Sequence, residues 1–246
     1  MIGVFDSGSG GLTVISALRA RSPRADIIYF GDIKNVPYGT KKPQELSELI
    51  GAGMRKLQDM GARELICACN TASASVLQGL VEHDRVLEMT RPTARAMRRF
   101  AGQRVLLLAT PATVESGMYE QALNAIVQLE QIAVPRLASA IECDASPEEI
   151  ARLVRMVLPK DRSFDKLLLG CTHYPLARDT IESVVREVMG NMEIIDPAFA
   201  VAGAASERFE TRGRGQLTFA ISQDSDAFRR RVTTLFPHER YSIDVV

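Results

Sequence analysis

The sequence has no tryptophan, five tyrosines and nine phenylalanines among 246 residues, so its core must be aliphatic. Its four cysteines, at 67, 69, 143 and 171, are far too sparse for a disulfide-stapled scaffold. No apolar run approaches the roughly 20 residues of a membrane span. The start, Met1-Ile2-Gly3-Val4-Phe5-Asp6, reaches a carboxylate without a basic lead or a long apolar stretch, so no signal peptide is read. An excess of one charge is also missing, since Lys+Arg and Asp+Glu are both 30. A balanced chain has no electrostatic footprint for nucleic acid or an anionic membrane. These absences point to a cytoplasmic protein with no nucleic-acid and no membrane partner, whose cysteines are free thiols or metal ligands.

What is present is ordinary globular composition, 46% hydrophobic and 24% charged, at a length that suits two domains of about 100–150 residues or one large one. Short aliphatic runs predict strands over 2–5, 27–30, 64–67, 105–109, 131–134, 166–169, 193–195, 217–220 and 242–245. Several are continuous rather than alternating, as in Leu106-Leu107-Leu108 and Leu167-Leu168-Leu169, which suits parallel strands buried on both faces. Apolar spacings of three and four predict helices over 12–21, 43–60, 73–82, 113–126, 147–158, 176–189 and 199–208. In the second of these, Leu46, Leu49, Ile50, Gly53, Met54 and Leu57 make one face. Ser146-Pro147-Glu148-Glu149 reads as a helix start: a cap, a proline in the first turn, then acids against the dipole. Strand–helix alternation throughout gives the α/β class. The nearest thing to a boundary is Met89-Thr90-Arg91-Pro92-Thr93, ahead of a basic helix carrying Arg95, Arg98 and Arg99.

In open α/β sheets, ligands bind beyond the carboxyl ends of the strands, and four unusual segments fall there. Asp6-Ser7-Gly8-Ser9-Gly10-Gly11 offers close backbone approach and free N–H groups, but its glycines do not have dinucleotide-site spacing. Gly31-Asp32 and Val36-Pro37-Tyr38-Gly39-Thr40 mark a fixed turn. Cys69-Asn70-Thr71-Ala72-Ser73 and Gly170-Cys171-Thr172-His173-Tyr174-Pro175 echo one another, each following an aliphatic strand. Each places a thiol before a helix start, a setting expected to lower the thiol pKa. The echo suggests a duplicated half with equivalent cysteines. Cys67-x-Cys69 and Cys171-x-His173 also have metal-ligand chemistry, but structural zinc favours C-x-x-C on a knuckle over C-x-C inside an apolar strand, so no metal is assigned.

Two thiols facing each other across a cleft can invert a stereocentre. One, as thiolate, removes a proton from carbon and the other returns a proton to the opposite face. No cofactor is needed in principle, but the carbanion must be stabilised by donors on the α-carboxylate and by exclusion of water. Asn70, Thr71 and Thr172 are suitable donors, while Asp6 and His173 are suited to set thiol protonation.

These motifs, together with Ala109-Thr110-Pro111-Ala112-Thr113-Val114 and the segment Ser222-Gln223-Asp224, stand in the order and spacing of bacterial glutamate racemases, which the chain resembles over nearly its whole length. The resemblance implies two pseudo-symmetric α/β domains with parallel sheets and the active site between them. It implies interconversion of L- and D-glutamate without a cofactor or metal, supplying D-glutamate for peptidoglycan, by a homodimer with a small amino acid as substrate. It matches Cys69 to the thiol acting on the D-enantiomer and Cys171 to the one acting on the L-enantiomer. Asp6 assists near the first and His173 near the second, with Glu142 a further match. Substrate contacts carry over to Ser7, Pro37, Tyr38, Gly39, Asn70, Thr71, Thr113 and Thr172. Cys67 and Cys143 are left as packing residues or bystanders.

The chain departs from the pattern at Val134, where the family usually has a cysteine, over Arg136–Ala140, and at Arg91-Pro92-Thr93. These departures are expected to lie away from the two thiols. The domains are expected to be 1–89 with a returning 198–246, and 90–197. A related two-cysteine racemase acting on aspartate or another amino acid is the alternative. A shorter substrate would call for a cation near the α-carbon, and no arginine stands in the motif loops, which favours glutamate. A non-catalytic amino-acid-binding protein would have no use for two thiols.

Overall fold

The computed structural model describes residues 1–79, 86–160 and 163–246. Among these the aliphatic runs become strands β1 (Ile2–Asp6), β2 (Ile27–Gly31), β3 (Glu64–Cys67), β4 (Val86–Leu87), β5 (Arg104–Ala109), β6 (Gln128–Ala133), β7 (Lys166–Gly170), β8 (Glu193–Ile195), β9 (Leu217–Ile221) and β10 (Tyr241–Val245). They form two sheets, in the orders β10-β9-β2-β1-β3-β4 and β6-β5-β7-β8. Every pairing is parallel. The chain leaves the first sheet at β4, builds the second, and returns through β9, whose Leu217 pairs with Ile27 of β2. Each sheet with its helices makes one lobe.

Period-two alternation sends each central strand into two cores. In the first lobe Ile2, Val4, Ile27 and Tyr29 enter one cluster while Phe5, Ile28 and Phe30 enter the other. In the second lobe Leu106, Leu108, Leu167 and Leu169 lie on one face, and Val105, Leu107 and Leu168 on the opposite one. Helices cover all four faces. Helix Pro43–Asp59 lays Leu46, Ile50, Gly53, Met54 and Leu57 on the first sheet, with Leu49 only half-buried beside them. Helix Pro197–Arg208 joins the first lobe's core through Ala198, Val201, Ala202 and Ala205, as does the last helix, Asp226–Leu235, through Phe228 and Val232. No helix among the described residues is long and apolar enough to cross a membrane.

Several boundaries differ from the sequence expectations, each for a physical reason. β6 begins at Gln128, not 131, because it is an edge strand whose half-exposed residues tolerate Glu130 and Gln131. β4 has two residues, too short for any pattern. The helix expected over 113–126 is two, Pro111–Glu115 and Met118–Leu123, broken at Gly117 with φ 65°. The helix expected over 73–82 begins earlier, as Asn70–Leu77, and its residues 80–82 lie outside the described residues. The boundary read at 89–93 already belongs to helix Thr90–Met97. Helices Leu137–Glu142 and Asp226–Leu235 had no sequence expectation: the first is one and a half turns long, and the second hides its apolar positions among Arg229, Arg230 and Arg231.

A methyl group at Gly53 would sit 2.3 Å from Cε2 and 2.6 Å from Cδ2 of the fully buried Phe5 ring. Gly53→Ala is expected to lower stability, since overpacking costs about 1–3 kcal/mol while the helix gains about 1 kcal/mol from alanine. A lower urea midpoint at unchanged slope checks it.

Candidate active site

In a parallel sheet all strands end on one edge, and the two sheets turn these edges toward each other. The turn after β1 carries Asp6 to Gly11 into helix Leu12–Arg21. β3 runs through Ala68 to Cys69, the residue before helix Asn70–Leu77. β5 ends at Thr110, whose hydroxyl caps helix Pro111–Glu115 by accepting from Thr113 N. β7 ends in Cys171-Thr172-His173 and a single helical turn, Tyr174–Ala177. Between the edges lies a cleft of about 240 Å³, bordered by both thiols, Ser7, the turn 36–40, Asn70, Thr71, Thr172, His173 and Glu142. That is below the roughly 300–1,000 Å³ of sites for drug-sized ligands and suits a small metabolite.

Two expected site residues do not border the cleft. Asp6 lies beneath it, fully buried, accepting from Gly8 N at 2.9 Å and from Thr172 Oγ1 at 3.0 Å. Thr113 stands behind Thr110 and Thr71, 2.9 and 3.3 Å from their hydroxyls, so Thr110 takes the bordering position instead. Tyr38 has its phenol committed to Asp32 Oδ2 at 2.7 Å, and Pro37, Tyr38 and Gly39 border the cleft.

The two thiols have different surroundings. Cys69 is buried and donates to Ser7 Oγ at 3.5 Å. Burial, and then the Asp6 carboxylate, push its pKa up to about 12, so the lowering expected of a thiol before a helix start does not occur. Cys171 Sγ lies 3.9 Å from His173 Nδ1. His173 Nε2 lies 2.7 Å from Glu142 Oε2, which also accepts from Ser9 Oγ at 2.5 Å and Ser9 N at 3.2 Å. Burial alone would raise the Glu142 pKa. The hydrogen bond and charge of His173, then Ser9 and Arg231, outweigh it and bring the group to about 2. Burial alone would likewise lower His173, but its hydrogen bonds to Cys171 and Glu142 and the Glu142 charge hold it well above the usual imidazole range. Burial keeps Asp6 above the usual carboxylate range, against the pull of His173 and its two hydrogen bonds.

The loops are fitted to one another across the lobes. A Cβ at Gly10 would stand 2.4 Å from Thr172 Oγ1 and 2.8 Å from His173 N, so the first loop reaches the second only because residue 10 is glycine. Asn70 presents an unmet donor. Its Oδ1 accepts from Tyr119 of the second lobe at 2.6 Å, its buried Nδ2 has no partner, and the residue borders the cleft. An unsatisfied buried donor costs about 1–3 kcal/mol, which an acceptor on a bound ligand would recover.

Tyr119, Ser9, Arg231 and Arg136 are the functional neighbours that sequence reasoning missed. Tyr119 and Arg231 come from helices and escape a search of strand ends. Arg136, at φ 66°, leads into helix Leu137–Glu142 and borders the cleft, so the lack of an arginine in the motif loops does not extend to the folded site. The departures at Val134, Arg136, Ala138 and Ser139 also border the cleft, contrary to the expectation that they lie away from the thiols. So does the exposed Cys143, while Cys67 is buried in the core with its thiol toward the Cys69 carbonyl. Among the described residues no group of three or more His, Cys, Asp or Glu side chains is arranged to hold a metal ion.

Paired strand-end loops, each carrying a thiol, surround a metabolite-sized cleft, and residues 12–205 match the family of Asp/Glu/Hydantoin racemases. The chain belongs to that family and is an amino-acid racemase, an isomerase. It is 36% identical over 250 residues to a glutamate racemase of Desulforudis audaxviator (strain MP104C), covering 93% of this chain and 90% of that one. Its fold is similar to that of glutamate racemase isoform RacE1 from Bacillus anthracis, with TM-score 0.86 at 28% identity over 100% of this chain and 97% of that one. It is also similar to glutamate racemase from Francisella tularensis in complex with D-glutamate, with TM-score 0.83 at 27% identity over 100% and 96%.

Glu142 titrates near 2 in the fold against about 4.3 for an unfolded glutamate. Its stabilisation, on the order of 3 kcal/mol, is present above about pH 4 and is lost as pH falls toward 2. Glu142→Gln should lower the melting temperature at pH 6 and flatten its fall between pH 5 and 2, as read by melts of both proteins across that window.

Proposed function

We propose that this protein is a cofactor-independent racemase of glutamate. The observation that carries the reading is that Cys69 and Cys171, each from a different sheet, border one small cleft, each with its own acid–base neighbour. Cys171 takes the α-proton of the L-enantiomer while Cys69, which holds its proton through burial, delivers one to the opposite face. With the D-enantiomer the roles reverse. Asp6, whose carboxyl is held above its usual range, then serves the Cys69 side as His173 and Glu142 serve the Cys171 side.

The α-proton is very weakly acidic, so most of the barrier is the charge that develops on the carboxylate. Donors already in place stabilise that charge without reorganising. Asn70 borders the cleft with its Nδ2 unmet, the amides at the start of helix Asn70–Leu77 lie beside it, and Thr71 adds a hydroxyl, while Thr172 gives its hydroxyl proton to Asp6. Among the described residues no lysine borders the cleft to carry a pyridoxal Schiff base. Glutamate is favoured over aspartate because a curated relative at 36% identity is a glutamate racemase and a similar structure holds D-glutamate.

The remaining parts of the proposal are a cytoplasmic homodimer supplying D-glutamate for peptidoglycan, and lobes formed by 1–89 with 198–246 and by 90–197. Sedimentation of the purified protein tests the dimer, and D-glutamate dependence of a disrupted strain tests the supply.

Purified protein in chelator, without pyridoxal phosphate, should bring the circular dichroism of L-glutamate to zero, and in deuterated buffer should place deuterium on the α-carbon. Cys69→Ser and Cys171→Ser should each lose about 10²–10⁴-fold, the usual worth of a positioned proton carrier. Turnover of aspartate but not glutamate would overturn the substrate, loss of activity in chelator would overturn the metal-free reading, and full activity in both serine variants would overturn the mechanism.

A further inference from the structure

The last helix, Asp226–Leu235, is anchored in the first lobe by Phe228 and Val232. Its three consecutive arginines would ordinarily be a solvated face. Arg229 and Arg230 are exposed and pair with Asp224 and Asp144. Arg231 differs, with a side chain only 12% exposed that crosses to the second lobe. Its Nη1 donates to Ser9 Oγ at 2.7 Å and to the Glu142 carbonyl at 3.1 Å, and lies 3.4 Å from Glu142 Oε2. Its Nη2 donates to the Ile141 carbonyl and to Asp144 Oδ1.

One guanidinium therefore does three things. It caps the carboxyl end of helix Leu137–Glu142, where a cation meets the negative end of the dipole. It occupies a lone pair of Ser9 Oγ, which leaves the hydroxyl proton for Glu142 Oε2, 2.5 Å away. It also limits rotation of the Glu142 carboxylate, because it holds both the backbone carbonyl and the carboxylate of the same residue. The same carboxylate oxygen receives His173 Nε2, and the other imidazole nitrogen faces Cys171.

We infer that Arg231 is a positioning residue: by holding Glu142 against Ser9 it fixes the carboxylate on His173, aims the imidazole at Cys171, and makes that alignment depend on docking of the two lobes. Arg231 does not itself border the cleft. The inference rests on the two-thiol reading only for its effect on rate. The geometry it asserts, Arg231 to Glu142 to His173, is open to measurement in a protein that turns nothing over.

The charged and titratable groups around the pair are Asp6 from β1, Tyr29 from β2, Cys69 after β3, Cys171 after β7, Asp144 after helix Leu137–Glu142, and Arg231 itself. The sign of a shift separates two roles. If Arg231 acted by charge alone, removing a cation beside Glu142 would move the His173 titration to higher pH. If it acts by position, Glu142 is freed from His173 and the titration moves down toward the ordinary imidazole range.

The experiment is side-chain NMR of His173 across pH in the wild-type chain, Arg231→Met and Arg231→Lys, with His173→Gln to assign the signal and melting temperatures to confirm folding. Under the positioning role, Arg231→Met lowers the His173 titration, and Arg231→Lys, which keeps the charge but not the fork of donors, lowers it less. In turnover, kcat should fall by about 10–100-fold with KM little changed, the usual cost of losing a partner that orients an active-site residue. An unchanged or upward His173 shift in the folded methionine variant overturns the inference, and if that variant does not fold, the sign in the lysine variant decides. Downward shifts in a wild-type background without racemase activity would leave the positioning role standing and count against the proposed function instead.

Discussion

Where the two lobes meet, two carboxylates and an imidazole are all withdrawn from water. Unpaired, any one of them would cost several kcal/mol, so their pairing dictates how the loops sit. Asp6 at the end of β1 is satisfied by Thr172 from beyond β7. Glu142 is satisfied by Ser9 from the first lobe and His173 from the second. Gly10 supplies the room in which these loops touch. The Thr172–Asp6 and Ser9–Glu142 contacts cross from one lobe to the other, so the buried carboxylates are fully paired only in the docked arrangement, and that arrangement is what forms the cleft.

From this follows the difference between two thiols that look equivalent along the chain. Cys69 sits in an apolar pocket within the field of Asp6 and keeps its proton. Cys171 sits beside an imidazole whose far side is held by a carboxylate. The environments, not the residue type, make the two thiols differ, and such a difference is what the proposed transfer of a proton across a substrate needs. The sequence echo that pairs the cysteines is therefore sound as topology and incomplete as chemistry.

The strands of both sheets were legible because doubly buried parallel strands must be aliphatic on both faces, as in Leu106–Leu108 and Leu167–Leu169. The edges were not: β6 mixes Gln128, Glu130 and Gln131 into a pairing that only its neighbour β5 dictates. Cys69, Asn70, Thr71, Cys171, Thr172 and His173 could be placed in the site because strand ends in this fold class converge. Tyr119 and Arg231 could not, since they reach the site from helices whose direction is set by packing of Leu123 in one lobe and Phe228 in the other. The segment Val134–Ser139 looked peripheral in the chain and borders the cleft in space.

By itself the sequence determined the α/β alternation, the aliphatic two-sided strands, the neutral surface and the paired thiol loops, because each depends on local pattern and on residue chemistry. Tertiary structure alone decided that Cys69 keeps its proton, that Glu142 rather than solvent receives His173, that Asp6 and Thr113 lie behind the cleft wall, and that an arginine from the last helix reaches Glu142. Those outcomes depend on burial and on distances between segments far apart in the chain. They arise only when the two sheets are brought edge to edge.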